Sequence, residues 1–173
     1  AMQHINGTDT PLARATAIAP RIEDLATQID ETRQLPRDIV DEMVNVGLFR
    51  LLVPKSLGGE EMDILDYLDV VQAIAYADGS AGWCLNQGAV FATTSASAPR
   101  HLAEEVWGDA HTVVANGPPQ GAQSLTVDKG FQLTGKWAFS SGCRHANWIA
   151  AVSGGSGQPP RLHLLPRGDV DFI

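Results

Sequence analysis

Cysteine is scarce, basic side chains are never clustered and no long apolar run occurs, and each shortage removes a class of protein. Only Cys84 and Cys143 are present, far apart and without neighbours at metal-ligand or disulfide-framework spacing, which fits reduced thiols in a cytoplasmic protein. Twelve Lys and Arg stand against twenty Asp and Glu, with no basic run that could displace counterions from a phosphate backbone, which argues against nucleic acid as a partner. No stretch approaches the roughly 20 apolar residues that a membrane span needs, and Ala1 to Pro20 lacks the apolar core of a signal peptide. Asn6-Gly7-Thr8 is a glycosylation sequon without meaning in the absence of secretion, and His4, His101, His111, His145 and His163 are too scattered to form a metal site.

What is present reads first as helices. Ile18, Ile22, Leu25 and Ile29 fall on one face of a helix, and Leu35-Pro36 interrupts it because the residue before a proline is pushed out of the helical region. A second helix buries Ile39, Met43 and Val46 and ends at Gly47, placed for a left-handed cap. Leu48 to Pro54 is short and uniformly apolar, a buried connector that turns at Gly58-Gly59. Asp63 can cap a third helix, with Ile64, Leu68, Val71 and Ala75 on one face, and Asp78-Gly79-Ser80 starts a fourth from about Ala81 to Thr94. Pro99 opens a last short helix through Trp107.

After Gly108 the texture changes. Residues 112–115, 124–127, 131–134, 148–152 and 162–165 are short segments suited to strands, separated by Gly117-Pro118-Pro119, by Asp128-Lys129-Gly130 as a tight hairpin, and by Ser153 through Pro160. The expectation is an α+β fold: an all-helical domain over 1–110 followed over 111–173 by the start of an antiparallel β-sheet or barrel. Asp169 to Ile173 looks like a strand or its lead-in, so a sheet edge there is expected to lack its partner.

Two nucleotide motifs fail on inspection. Gly130 to Trp137 nearly spells a phosphate-binding loop, but Trp137 stands where a hydroxyl must hold the metal and no helix follows. No glycine fingerprint lies between a strand and a helix, and Gly154-Gly155-Ser156-Gly157 reads as a hairpin loop. The informative stretch is Gly135 to Trp148, a strand that runs into Phe139-Ser140-Ser141-Gly142 and then a polar turn, Cys143-Arg144-His145-Ala146-Asn147. If the strand is regular, only one of the two serines points inward, and Ser140 is the one expected to do so.

Phe139-Ser140-Ser141-Gly142 with His145-Ala146 and Trp148 downstream resembles the flavin-contacting strand of the acyl-CoA dehydrogenase superfamily, whose dehydrogenases read Trp-Ile-Thr-Asn-Gly there. The paired serines resemble the branch of two-component flavin monooxygenases. Gly47 to Pro54 with Gly58-Gly59 is similar to the connector of those enzymes, and Asp78 to Trp83 to their helix start beside the substrate cavity, so the resemblance covers the chain from about Leu35 onward. Asn116 to Gly121 replaces the dehydrogenases' Thr-Glu-Pro-Gly loop without its acid, which counts against acyl-CoA substrates.

The resemblance implies an oxygenase component that takes reduced FMN or FAD from a separate flavin reductase and, with O2, hydroxylates an aromatic or polyketide-like small molecule. It also implies a cytoplasmic homo-oligomer and a C-terminal helical bundle, missing from these residues, that supplies the catalytic acid or base. Alternatives are an acyl-CoA dehydrogenase and a non-catalytic truncated fragment; on any of these readings the 173 residues alone are expected to bind flavin weakly or not at all and to have no turnover. In this scheme Ser140 is the catalytic hydroxyl at the flavin N5, able to donate to the oxidised ring or accept from the reduced one. Asn116, Trp137, Phe139 and Ser141 join it as flavin-binding candidates, and Trp83, Asn86 and Gln87 border the substrate. Each has a plainer role as well: Asn116 as a turn former, Trp137 and Phe139 as sheet core, and Trp83, Asn86 and Gln87 as one side of an amphipathic helix.

Overall fold

The computed structural model describes residues 9–128, 130–155 and 158–171. Among them, six α-helices lead into five strands: α1 (Pro11–Asp24), α2 (Ala26–Thr32), α3 (Arg37–Asn45), α4 (Ile64–Ala77), α5 (Gly79–Ala92) and α6 (Arg100–Trp107), then β1 (Val114–Asn116), β2 (Pro119–Val127), β3 (Gly130–Trp137), β4 (Trp148–Gly155) and β5 (Gln158–Pro166). The helical region and the strand region thus follow one another as the change of periodicity implies.

Side-chain caps start three of the helices. Thr10 accepts from the Ala13 amide at 3.1 Å, Asp63 from Leu65 at 2.9 Å and Asp78 from Ala81 at 2.7 Å, each satisfying an amide that the helix itself leaves unpaired. Gly47 takes φ +78° after α3, the left-handed conformation that releases the chain into the connector. Ile18, Ile22, Ile29, Ile39 and Met43 are buried as their spacing requires, whereas Leu25 is half-buried because the first helix breaks there into α1 and α2.

Several sequence-based expectations change. In α4 the buried stripe is Tyr67, Val70 and Ile74, while Ile64 and Leu68 are half exposed. The helix is apolar on two faces, and packing against α1 and α5 selects between them. The strand expected from Asp169 onward is replaced, among the described residues, by a 3-10 turn over Arg167–Asp169 with Val170 after it; Phe172 and Ile173 lie outside the described residues.

The connector is buried as expected, with Leu48, Leu51 and Val53 fully covered. Its Arg50 is buried too, and donates to the backbone carbonyls of Asp109 at 2.9 Å, Trp107 at 3.1 Å and Leu57. Burial lowers its pKa and nearby Asp109 partly offsets that. Three carbonyls therefore satisfy a guanidinium that would otherwise be costly to bury.

The strands form two sheets, β1-β4-β5 and β2-β3. The β2-β3 and β4-β5 pairs are antiparallel, with Val127 opposite Gly130 at the hairpin, whose Lys129 lies outside the described residues. One pairing differs from the all-antiparallel expectation: β1 runs parallel to β4, Val114 to Trp148 through Asn116 to Ala150. Parallel neighbours need a long crossover, and here the β2-β3 hairpin with the following turn supplies it. Gly154 and Gly155 extend β4 instead of forming a loop, and Ser156 and Gly157 lie outside the described residues. Two apolar clusters join the layers, one with Leu85 and Ala89 of α5 and Phe49 of the connector packed with Val113, Ala115 and Ile149, the other with Val106 and Trp107 of α6 packed with Val114 and Ala150.

Candidate functional site

The stretch expected to carry the chemistry is a turn, not a strand end. β3 stops at Trp137, opposite Pro119, and residues 138–146 fold back on themselves. Phe139 adopts φ +51°, unusual for a residue with a side chain, and is 86% exposed. Backbone bonds then close the turn: Ser141 N to the Phe139 carbonyl at 2.7 Å, Cys143 N to Ser140 at 3.0 Å, and Ala146 N to Gly142 at 2.9 Å. The inward and outward alternation of Ser140 and Ser141 therefore has no strand to rest on.

The two hydroxyls nevertheless differ. Ser140 Oγ donates to the Trp137 carbonyl at 2.9 Å, and since that is an acceptor, the serine oxygen keeps its lone pairs for another donor. Ser141 Oγ accepts from the Trp83 indole N–H at 3.0 Å, across to α5. Gly117, just after β1, lies under this turn so closely that a Cβ there would collide with the Ala138 carbonyl and the Ser140 hydroxyl. Beside it, Asn116 is half-buried and its Oδ1 is buried without a hydrogen-bond partner. An unpaired buried acceptor is costly, and this one is open to a donor from outside the chain.

The structure thus brings together Trp83, Asn116, Trp137, Phe139, Ser140 and Ser141. Trp137 is held by its own bond, from Nε1 to the Val152 carbonyl at 2.9 Å, which fits the plainer role of fastening β3 onto β4. Asn86 is engaged elsewhere, accepting from the Tyr67 phenol at 3.0 Å, and Gln87 is half-buried on the same helix.

Three supporting features were given no role of their own from the sequence, although Gly142 and His145 stand in the motif that carries the resemblance. Asn147 closes the exit of the turn, its Oδ1 accepting from Val113 N at 2.8 Å and its Nδ2 donating to the His111 carbonyl at 3.1 Å. Gly142, at φ +82°, lets the turn press on His145, since a Cβ would stand 3.1 Å from the imidazole Nε2. Burial, and secondarily Arg37, push the His145 pKa down to about 4, so the ring is neutral, with Nε2 buried and unpartnered. Gly117 could have been suspected from its place before Pro118-Pro119, but a turn was sufficient reason for it.

Two clefts flank these residues. One of about 410 Å³ runs between α3 and the exit of the turn, lined by His145, Ala146 and Asn147 with His111, and one of about 750 Å³ lies between the connector and α6; neither is lined by Ser140 or Asn116. Among the described residues no helix is long and apolar enough to cross a membrane, and no three His, Cys, Asp or Glu side chains gather as metal ligands.

Residues 13–98 match the family described as acyl-CoA dehydrogenase, N-terminal domain. The chain is 34% identical over 166 residues to the oxygenase subunit HsaA of a flavin-dependent monooxygenase from Rhodococcus jostii (strain RHA1), covering 91% of this chain and 43% of that protein. This chain belongs to the acyl-CoA dehydrogenase superfamily. Within the superfamily it is also similar to an indole-3-acetate monooxygenase of Pseudomonas putida, 36% identical over 150 residues, covering 83% of this chain and 38% of that protein. In three dimensions it superposes on a 3-HSA hydroxylase from Rhodococcus sp. RHA1 with a TM-score of 0.85 at 29% identity, covering 94% of this chain and 44% of the other. The superfamily member described by these residues therefore spans about two-fifths of the length of the curated relatives it matches.

Proposed function

We propose that this chain forms part of the oxygenase component of a two-component flavin-dependent monooxygenase, hydroxylating an aromatic or polyketide-like substrate with reduced flavin and O2. The observation that carries the proposal is the Ser140 hydroxyl, whose proton is committed to the Trp137 carbonyl while its oxygen remains able to accept. An acceptor suits the N5–H of reduced flavin better than the bare N5 of the oxidised ring. Nearby, the orphaned Asn116 Oδ1 would take the imide N–H of the pyrimidine edge, so the residues present fit the group on two atoms. Bound there, reduced flavin would supply the electrons with which O2 is activated.

The remaining roles belong to the chain. Gly117 keeps the Ser140 turn close to Asn116, Phe139 presents an exposed ring at the rim, and Trp83 offers a half-exposed aromatic surface on the substrate side. Residues 1–110 would form one side of the substrate cavity and residues 111–173 the start of the sheet domain. A flavin reductase is the implied partner, in keeping with the oxygenase-subunit name of the relative. The exposed Ile64, Leu65 and Leu68 of α4 support a homo-oligomer, and the two free thiols support a cytoplasmic setting.

The test is anaerobic titration of reduced and oxidised FMN and FAD into the 173-residue chain. These residues offer the flavin one wall, so binding weaker than low micromolar is expected, tighter for the reduced forms, and weakened about fivefold or more by Asn116→Leu. No binding of either flavin at millimolar concentration, or affinities untouched by that substitution, would overturn the proposal.

A further inference from the structure

Trp83 and Ser141, expected beside the substrate and at the flavin respectively, are bonded to each other. The indole N–H of Trp83, near the start of α5, reaches the Ser141 hydroxyl at 3.0 Å across 58 residues of sequence. Most other hydrogen bonds of the turn centred on Ser140 are local: Ser140 to Trp137, Ser141 to Phe139, Cys143 to Ser140, and His145 and Ala146 to Gly142. Arg144 reaches Gln34 beyond α2, at 3.4 Å between exposed side chains, and not α5. Local bonds set the shape of the turn but not its place against α5. Cys84, next to Trp83, faces the Gly142 amide, and Cys143 follows on the turn; both are half-buried at the same seam.

We propose that Trp83 is a positioning residue, whose indole N–H latches the 138–146 turn to α5 and so sets where the Ser140 hydroxyl stands over Gly117. The indole is 52% exposed, and with its N–H engaged the ring is held in one orientation. A planar aromatic substrate that stacks on that ring acts on the same side chain that holds the turn, which couples substrate occupancy to the Ser140 hydroxyl. This coupling rests on the flavin reading above; the latch itself does not.

Thiol labelling by an aromatic disulfide reagent, read separately at Cys84 and Cys143 by mass spectrometry, tests the latch in the flavin-free chain. Trp83→Phe keeps the ring and loses the donor; Ser141→Ala loses the acceptor; Ser141→Thr keeps a hydroxyl. The first two are expected to speed labelling of Cys143 several-fold. Their combination should speed it no further, because both remove one bond, and Ser141→Thr should label as the unaltered chain does. Unchanged rates, or additive effects, would overturn the latch. The same variants are then titrated with reduced flavin: a parallel loss of affinity in Trp83→Phe and Ser141→Ala supports the positioning role, and faster labelling with unaltered affinity overturns it. Failure of the unaltered chain to bind flavin would count against the flavin reading alone, since the labelling result does not depend on it.

Discussion

The Tyr67 phenol donates to Oδ1 of Asn86 at 3.0 Å, tying the buried face of α4 to the helix that carries Trp83. Burial pushes the phenol up to about 12, so it stays protonated, and a donor, throughout the range in which the protein would be handled. Tyr67→Phe is therefore expected to leave the Asn86 acceptor unpaired and to lower stability by about 1–2 kcal/mol. Urea denaturation checks it, and an unchanged midpoint would mean that Asn86 finds another partner.

His145 makes stability depend on pH. Its folded pKa of about 4 lies below the ordinary value of 6.5, so the unfolded chain takes up a proton that the folded one refuses. The contribution is complete above pH 6.5 and is lost as pH falls from there through 4, on the order of 3 kcal/mol in all. His145→Gln should flatten that part of the pH profile of the unfolding free energy. A profile as steep as that of the unaltered chain would show that another group is responsible.

Phe139 combines a left-handed backbone with a side chain that is almost wholly in solvent, so local packing does not offset its backbone cost. Phe139→Gly should relieve the backbone cost, offset in part by the freedom glycine gains when unfolded, for a net stabilisation of about 0.5–1 kcal/mol. It should also weaken reduced-flavin binding if the ring serves at the rim. Thermal unfolding and titration of the same preparation read both effects, and lower stability would mean that the ring packs better than its exposure suggests.

Much of the helical layer was legible because its signals are local. The spacing of Ile18, Ile22 and Ile29, the caps at Asp63 and Asp78 and the glycine at 47 act within one or two turns of chain. So does the hairpin around Asp128 and Gly130. The buried face of α4 was not, because Ile64 and Leu68 fit a helical stripe as well as Tyr67, Val70 and Ile74 do, and only packing chooses. Nor was the parallel pairing of β1 with β4, which depends on where a crossover of some thirty residues returns. At the site, the resemblance of Phe139-Ser140-Ser141-Gly142 to the superfamily's flavin-contacting strand pointed to Ser140 and Ser141, but their different bonds arise from Phe139 turning the backbone and from Trp83 arriving on another element.

Arg50 has a consequence for chain topology. From one guanidinium it holds the carbonyls of Leu57, Trp107 and Asp109, and so closes a loop of nearly sixty residues that contains α4, α5 and α6. A disulfide closing such a loop would restrict the unfolded chain as well; this clasp forms only on folding and leaves the unfolded ensemble unrestricted. Its partners are neutral carbonyls, so salt should loosen it far less than an exposed ion pair. A protease cut between α5 and α6 would leave both pieces gripped by the same side chain, and the nicked protein would remain one particle until it unfolded.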